Sequence, residues 1–165
     1  MKQLYCPWRS AYSEDDSRSK QSDTTQDECV FCQQFKQTND ENNLIIKRFE
    51  HNIVMLNKFP YNAGHILILP KNHVSDLNNM SSEARNEMME LIHQGTNILR
   101  KAVHAQGVNI GMNVGKIAGG GIPSHLHMHI VPRYAGDTNF LTTIGQTKNI
   151  SFDLQEILKK LKTYF

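Results

Sequence analysis

Apolar and polar positions alternate along this chain in two distinct rhythms, one of short runs and one of helical spacing. Leu44 to Phe49 and Ile53 to Asn57 read as two strands around a turn at Glu50-His51-Asn52. Phe59 to Gly64 is a loop rich in turn formers, and His65-Ile66-Leu67-Ile68-Leu69-Pro70 after it is a strongly apolar strand closed by Pro70. Lys71-Asn72-His73 then leads into a polar stretch. Ser81 or Ser82 suits an N-cap, with Glu83 in the first turn. From there Met88, Leu91, Ile92, Gly95, Leu99, Ala102 and Val103 recur at helical spacing, which predicts one long amphipathic helix to about His104. His93 and His104 read as surface residues of that helix, and the Met88-Met89 pair as core. Val108 to Val114 reads as a further strand, followed by a glycine-rich loop from Lys116 to Ser124. Phe152, Leu154, Ile157, Leu158 and Leu161 mark a short C-terminal helix with a basic end. No internal repeat is visible.

The loop feeds into Ser124-His125-Leu126-His127-Met128-His129-Ile130-Val131-Pro132-Arg133, where three histidines recur at every second position. A strand has a side-chain period of two, so this spacing puts the imidazoles on one face and the aliphatics on the other. Alternate side chains on a strand are about 6.5–7 Å apart. Imidazoles that close can share one phosphate-sized ligand, or divide between a ligand and a metal. A core face would be built of Val, Ile or Phe, because buried rings with polar nitrogens each need a partner. Pro132 cannot donate to a ladder, so the strand should end there or lie on an edge.

Composition narrows the function classes. The chain has 165 residues, enough for one domain with a sizeable core, and a formal net charge of +2 with 21% charged residues. That balance excludes the broad basic face of a nucleic-acid binder. No apolar run approaches the roughly 20 residues that span a bilayer, so no membrane partner is expected. Met1 to Trp8 lacks the apolar core of a signal peptide. With three cysteines, this favours the reducing cytoplasm over a disulfide framework. Residues 1–28 read as an arm with aromatic anchors (Tyr5, Trp8, Tyr12) and a polar linker from Ser13 to Glu28; residues 29–165 form the domain.

Two further motifs bear on chemistry. Cys29-Val30-Phe31-Cys32 is half of a zinc site, a redox pair, or two unligated thiols. A redox pair calls for a strand–CxxC–helix setting that the Gln- and Asn-rich flanks do not suggest, whereas zinc needs two more ligands and the chain has spare histidines. Gly115-Lys116 is not a P-loop, because Ile117 follows the lysine and no helix follows the loop. Gly119, Gly120 and Gly121 instead suggest backbone amides brought close to an anion.

His125-Leu126-His127-Met128-His129-Ile130-Val131 resembles the signature of the histidine triad superfamily of nucleotide hydrolases and transferases. Asn57 and Gly64-His65-Ile66-Leu67-Ile68-Leu69-Pro70-Lys71-Asn72-His73 resemble its upstream signature, and the match covers about Cys29 to Phe140. Pro132 to Phe140 is similar to the fragile histidine triad branch and, more closely, to the bacterial diadenosine tetraphosphate phosphorylases. The latter are also similar across Asn113-Val114-Gly115 and Ala118 to Ile122, and in a Trp-containing arm like Leu4 to Tyr12. The phosphoramidate-cleaving branch usually carries a Gln-Ser pair where this chain has Gly121-Ile122.

The resemblance implies an α+β fold with an antiparallel sheet of about five strands, one long helix across it and a C-terminal helix. It implies His127 as the nucleophile toward the α-phosphate, forming a nucleotidyl-histidine, and His129 as donor to the non-bridging oxygens. His65 would support the nucleophile, Asn57 would hold the ribose, Asn113 the phosphate chain, and His125 would also touch substrate. Amides of Gly119, Gly120 and Gly121 would complete an oxyanion-type site. By the same resemblance, Cys29, Cys32, His73 and His125 would hold a structural zinc. The implied activity is phosphorolysis of diadenosine tetraphosphate to ATP and ADP, with nucleotide and inorganic phosphate as partners and a homodimer or tetramer as the assembly. The competing readings are a hydrolase of dinucleoside polyphosphates or phosphoramidates, and a nucleotide-binding module without turnover.

Overall fold

The computed structural model describes residues 25–137 and 152–165; the arm from Leu4 to Tyr12 and the linker as far as residue 24 lie outside them. Five strands, β1 (Ile45–Arg48), β2 (Asn52–Leu56), β3 (Ile66–Pro70), β4 (Gly107–Met112) and β5 (Met128–Arg133), form one sheet in the order β1-β2-β3-β5-β4. Every neighbouring pair is antiparallel. Helices α1 (Val30–Lys36), α2 (Ser82–Ala102) and α3 (Leu154–Lys162) complete the architecture. The expected α+β arrangement of sheet, long helix and C-terminal helix is what forms.

β2 and β3 are buried along their whole length because both sheet faces are covered. On one face, Val54, Leu56, Ile66, Ile68 and Ile130 meet Met88, Leu91 and Leu99 of α2 and Leu158 and Leu161 of α3. On the other, Ile53, Met55, Leu67 and Leu69 meet Cys29, Phe31 and Cys32 at α1. Period two is present in these strands, but with both faces apolar it reads as a continuous run.

α2 starts as expected: Ser81 is the N-cap and its Oγ accepts from the Ala84 amide at 3.2 Å. It stops at Ala102, two residues short of the expected His104, which adopts φ 56°. Met88 is core but Met89 is exposed, since consecutive helical residues point about 100° apart. Gly95 lies where α2 crosses β3 and β5; a Cβ there would stand 3.0 Å from Ile66 Cδ1 and 3.3 Å from Ile130 Cδ1. The missing side chain lets the helix approach the sheet.

Two features depart from the sequence reading. α1 is a helix of seven residues beginning directly after its N-cap, Cys29, and Thr25 to Glu28 form a hydrogen-bonded turn instead of continuing the linker. β5 runs through Pro132 to Arg133 in the interior of the strand order, where proline was expected to end the strand or mark an edge. The physical reason is local. The ladder to β3 stops at the Ile66–Ile130 pair, so at Pro132 only β4 lies alongside. The Pro132 carbonyl points to the unladdered side, where Asn62 Nδ2 donates to it at 3.0 Å. In an antiparallel pair a residue's N and O face the same way, so the absent N–H also points off the ladder.

Candidate active site and metal cluster

Regular β5 begins only at Met128, so His125 and His127 precede it as extended chain. The alternation holds nonetheless. Leu126 and Ile130 enter the α2 core. The rings of His125 and His127 lie 5.6 and 5.5 Å from Phe31 of α1, and His129 is paired with Leu67 on that same face. Between α1 and the sheet opens a cleft. One side is polar, with Asn57, Asn113, Gly119, Gly121, His127 and His129; the other carries Val30, Phe31 and Gln34 of α1 against Met55, Leu67 and Ile122.

Hydrogen bonds fix which ring nitrogens face the cleft. His127 Nδ1 is 2.8 Å from the His125 carbonyl, which can only accept, so Nδ1 carries the proton and Nε2 the lone pair. At His65 the logic reverses: Nδ1 is 3.1 Å from the Tyr61 amide, which can only donate. His65 Nε2 therefore carries the proton and donates to His129 Nδ1 at 2.9 Å. That leaves the proton of neutral His129 on Nε2. The result is a lone pair on His127 and an N–H on His129, with ring centroids 4.9 Å apart.

Burial keeps His127 and His65 neutral. It lowers the His127 pKa from 6.5, partly offset by the bond to the His125 carbonyl. His65 falls to about 3, through burial first and then the neighbouring His129 and His127. A neutral imidazole is the form that can attack phosphorus.

The loop from Asn57 to Gly64 is fastened to the exit of β5. Asn62 Nδ2 donates to Asp137 Oδ2 at 2.9 Å as well as to Pro132, and Tyr134 Oη donates to the Ala63 carbonyl at 2.9 Å. Gly64 adopts φ +84° with Val103 Cγ2 3.3 Å from where a Cβ would be, a turn that only glycine makes without strain. Asn57 Oδ1 accepts from the Phe59 amide at 2.9 Å, and its Nδ2 lies 3.4 Å from His65 Nδ1.

A second cluster lies beside the cleft. The ligand atoms of Cys29, Cys32, His73 and His125 all fall within 4.8 Å of one another. Cys29 Sγ–His125 Nδ1, Cys32 Sγ–His73 Nδ1 and Cys32 Sγ–His125 Nδ1 are each 3.4 Å. Tetrahedral bonds of ordinary length to sulfur and nitrogen would separate such atoms by ~3.5 Å. His125 Nε2 donates to the Pro70 carbonyl at 2.9 Å, which leaves Nδ1 free of a proton for a metal. Burial, then Cys29, pushes the Cys32 thiol up to about 12, so here a metal would have to displace its proton. These four residues fit a metal ion.

The structure thus brings Asn57, Asn113, His127 and His129 together at the cleft, with Gly119 and Gly121, and sets the fully buried His65 against His129. Gly120 lies against Asn113, where a Cβ would stand 3.4 Å from Asn113 Cβ. His125 is fully buried with both ring nitrogens turned to protein groups, so it belongs to the metal cluster and not to the cleft wall. Two residues at the site have no place in the sequence reading. Tyr61 packs its ring 4.9 Å from His65 and 5.9 Å from His129. Phe31, between the two cysteines, touches both His125 and His127. The signal for each was its position, inside the loop before His65 and inside the CxxC motif.

Comparison with known proteins agrees with this geometry. Residues 37–136 match the HIT domain family. The chain is 30% identical to the AP-4-A phosphorylase of Mycobacterium tuberculosis over 163 residues, covering 99% of this chain and 84% of that one. It is 33% identical to an uncharacterised HIT-like protein of Methanocaldococcus jannaschii over 135 residues, 81% of this chain and 98% of the relative. Among solved structures, a zinc-bound histidine triad family protein from Mycobacterium smegmatis superposes with a TM-score of 0.66 at 27% identity, covering 85% of this chain and 94% of that one.

Proposed function

The chain belongs to the HIT family, and from that premise we propose that it is a nucleotidyl transferase that splits diadenosine tetraphosphate with inorganic phosphate. The observation that carries the reading is the pairing of His127 and His129, one offering a lone pair and the other an N–H at the same cleft. His127 Nε2 attacks the α-phosphorus of a bound dinucleotide, and the bond from that phosphorus to the bridging oxygen breaks. ATP departs and adenylate stays on His127. His129 Nε2–H and the amides of Gly119, Gly120 and Gly121 meet the charge that develops on the non-bridging oxygens. Asn57 holds the ribose and Asn113 the phosphate chain. An oxygen of inorganic phosphate then attacks the adenylate, giving ADP and free His127. The 30% identity to a relative named AP-4-A phosphorylase supports this choice of acceptor.

Zinc is the metal proposed for Cys29, Cys32, His73 and His125, a closed Cys₂His₂ set with no open position for substrate. It would supply no chemistry to the transfer and would clamp α1 beside the cleft. The cytoplasm suits its thiols, and a homodimer or tetramer is the proposed assembly.

Incubation with diadenosine tetraphosphate, with and without phosphate, tests the reaction by anion-exchange chromatography. ATP and ADP that appear only with phosphate are the expected products. AMP and ATP formed regardless of phosphate would make the protein a hydrolase. Absence of cleavage would overturn both.

A further inference from the structure

Gln34 is the polar residue on the α1 wall of the cleft. Phe31 and Gln34 are three apart and Val30 and Gln34 four apart, so these side chains share one helix face, and that face lines the cleft. Its carboxamide oxygen is shielded from solvent and has no hydrogen-bond partner. Asn52 carries the other such oxygen among the described residues, but its amide is anchored through Nδ2 to the Ala84 carbonyl and to Glu87. A buried amide oxygen without a donor is an exception that calls for a reason. At the wall of a ligand cleft, a rotation of this terminal carboxamide would present it to a ligand.

Geometry selects the part of the ligand. The Phe31 ring lies 5.5 Å from His127, and Gln34 follows Phe31 by three residues, ~4.5 Å along α1. A nucleotide whose α-phosphate sits at His127 holds its base one ribose away. The cleft that Gln34 lines has apolar members in Val30, Phe31, Met55 and Leu67, which suit the faces of a base and leave its polar edge to be met.

We infer that Gln34 is a specificity-determining residue whose carboxamide hydrogen-bonds the edge of adenine, Oε1 accepting from the 6-amino group and Nε2 donating to the ring nitrogen beside it. This is the arrangement by which glutamine recognises adenine elsewhere. The inference rests on the nucleotide reading of the cleft but not on the transfer chemistry.

Binding therefore tests it without turnover. Calorimetric titration would compare adenosine 5′-monophosphate with the 5′-monophosphate of purine riboside, which lacks the 6-amino group. The natural protein should bind the adenine nucleotide about tenfold more tightly or better, because the analogue leaves the amide unpaired. Gln34→Leu and Gln34→Met keep the wall apolar and the helix intact, and should bring the ratio close to one by weakening the adenine nucleotide alone. Equal affinities in the natural protein, or an undiminished ratio in both variants, would overturn the inference. Loss of cleavage with the adenine preference intact would strike the transfer reading and leave this one standing.

Discussion

At the scale of single residues, the site works by deciding where protons are not. His127 keeps its proton on the side of the His125 carbonyl, so Nε2, the nitrogen proposed as nucleophile, carries a bare lone pair. Replacing it with asparagine should lower turnover by at least about a thousandfold while adenosine 5′-monophosphate still binds, read by product chromatography and calorimetry. His65 links the site to stability. Its pKa is lowered from 6.5 to about 3, so the unfolded chain takes up a proton that the folded chain refuses until far more acid conditions. The stability it contributes is present above about pH 6.5 and is lost as pH falls toward 3, at up to ~1.4 kcal/mol per pH unit. Urea denaturation between about pH 7 and pH 5 should show a shallower loss in His65→Gln than in the natural protein. His127 was legible in the alternate spacing of the triad, and His65 in the resemblance of its segment to the family's upstream signature. Their tautomers were not, because the carbonyl and amide that set them come from the fold.

At the scale of elements, the strands and both longer helices could be read from periodicity, and α1 could not. Seven residues give too little periodicity, and its buried side, Phe31 and Cys32, faces the sheet through a motif whose thiols outweigh its helical pattern. The same limit hid Gln34 and Tyr61, whose roles depend on what stands opposite them. The Asn57–Gly64 loop offers a test of how an element is held. Asn62→Ala removes the donor to Pro132 and Asp137 and leaves a buried carbonyl unpaired, which should cost about 1–3 kcal/mol in denaturant titration. Because Asn57 and Tyr61 ride on this loop, KM for the dinucleotide should rise as well.

At the scale of the whole molecule, the sheet divides labour between its faces. The α2 face is a hydrocarbon core, and the α1 face carries chemistry, with Cys29, Cys32, His73 and His125 joined beside the cleft. Treatment with a chelator should lower the melting temperature by several degrees without changing the α2 side of the core, as followed by hydrogen exchange. Metal analysis of protein purified without chelator should return about one zinc per chain. Strand β4 is an edge of the sheet among the described residues and carries Ile110, 49% exposed, which is where a second copy would pair. Sedimentation should show a dimer or tetramer that Ile110→Lys weakens.

Phe31 stands between Cys29 and Cys32, the two thiols of the proposed metal set, while its ring rests on His127. The Cys/His cluster and the cleft share that side chain and the stretch from His125 to His129, so a metal and a nucleotide bound together would act on each other's equilibrium. If zinc raises nucleotide affinity by some factor, nucleotide must raise zinc affinity by that same factor. A cell short of zinc would then strip the metal from empty protein first and spare the copies engaged with substrate.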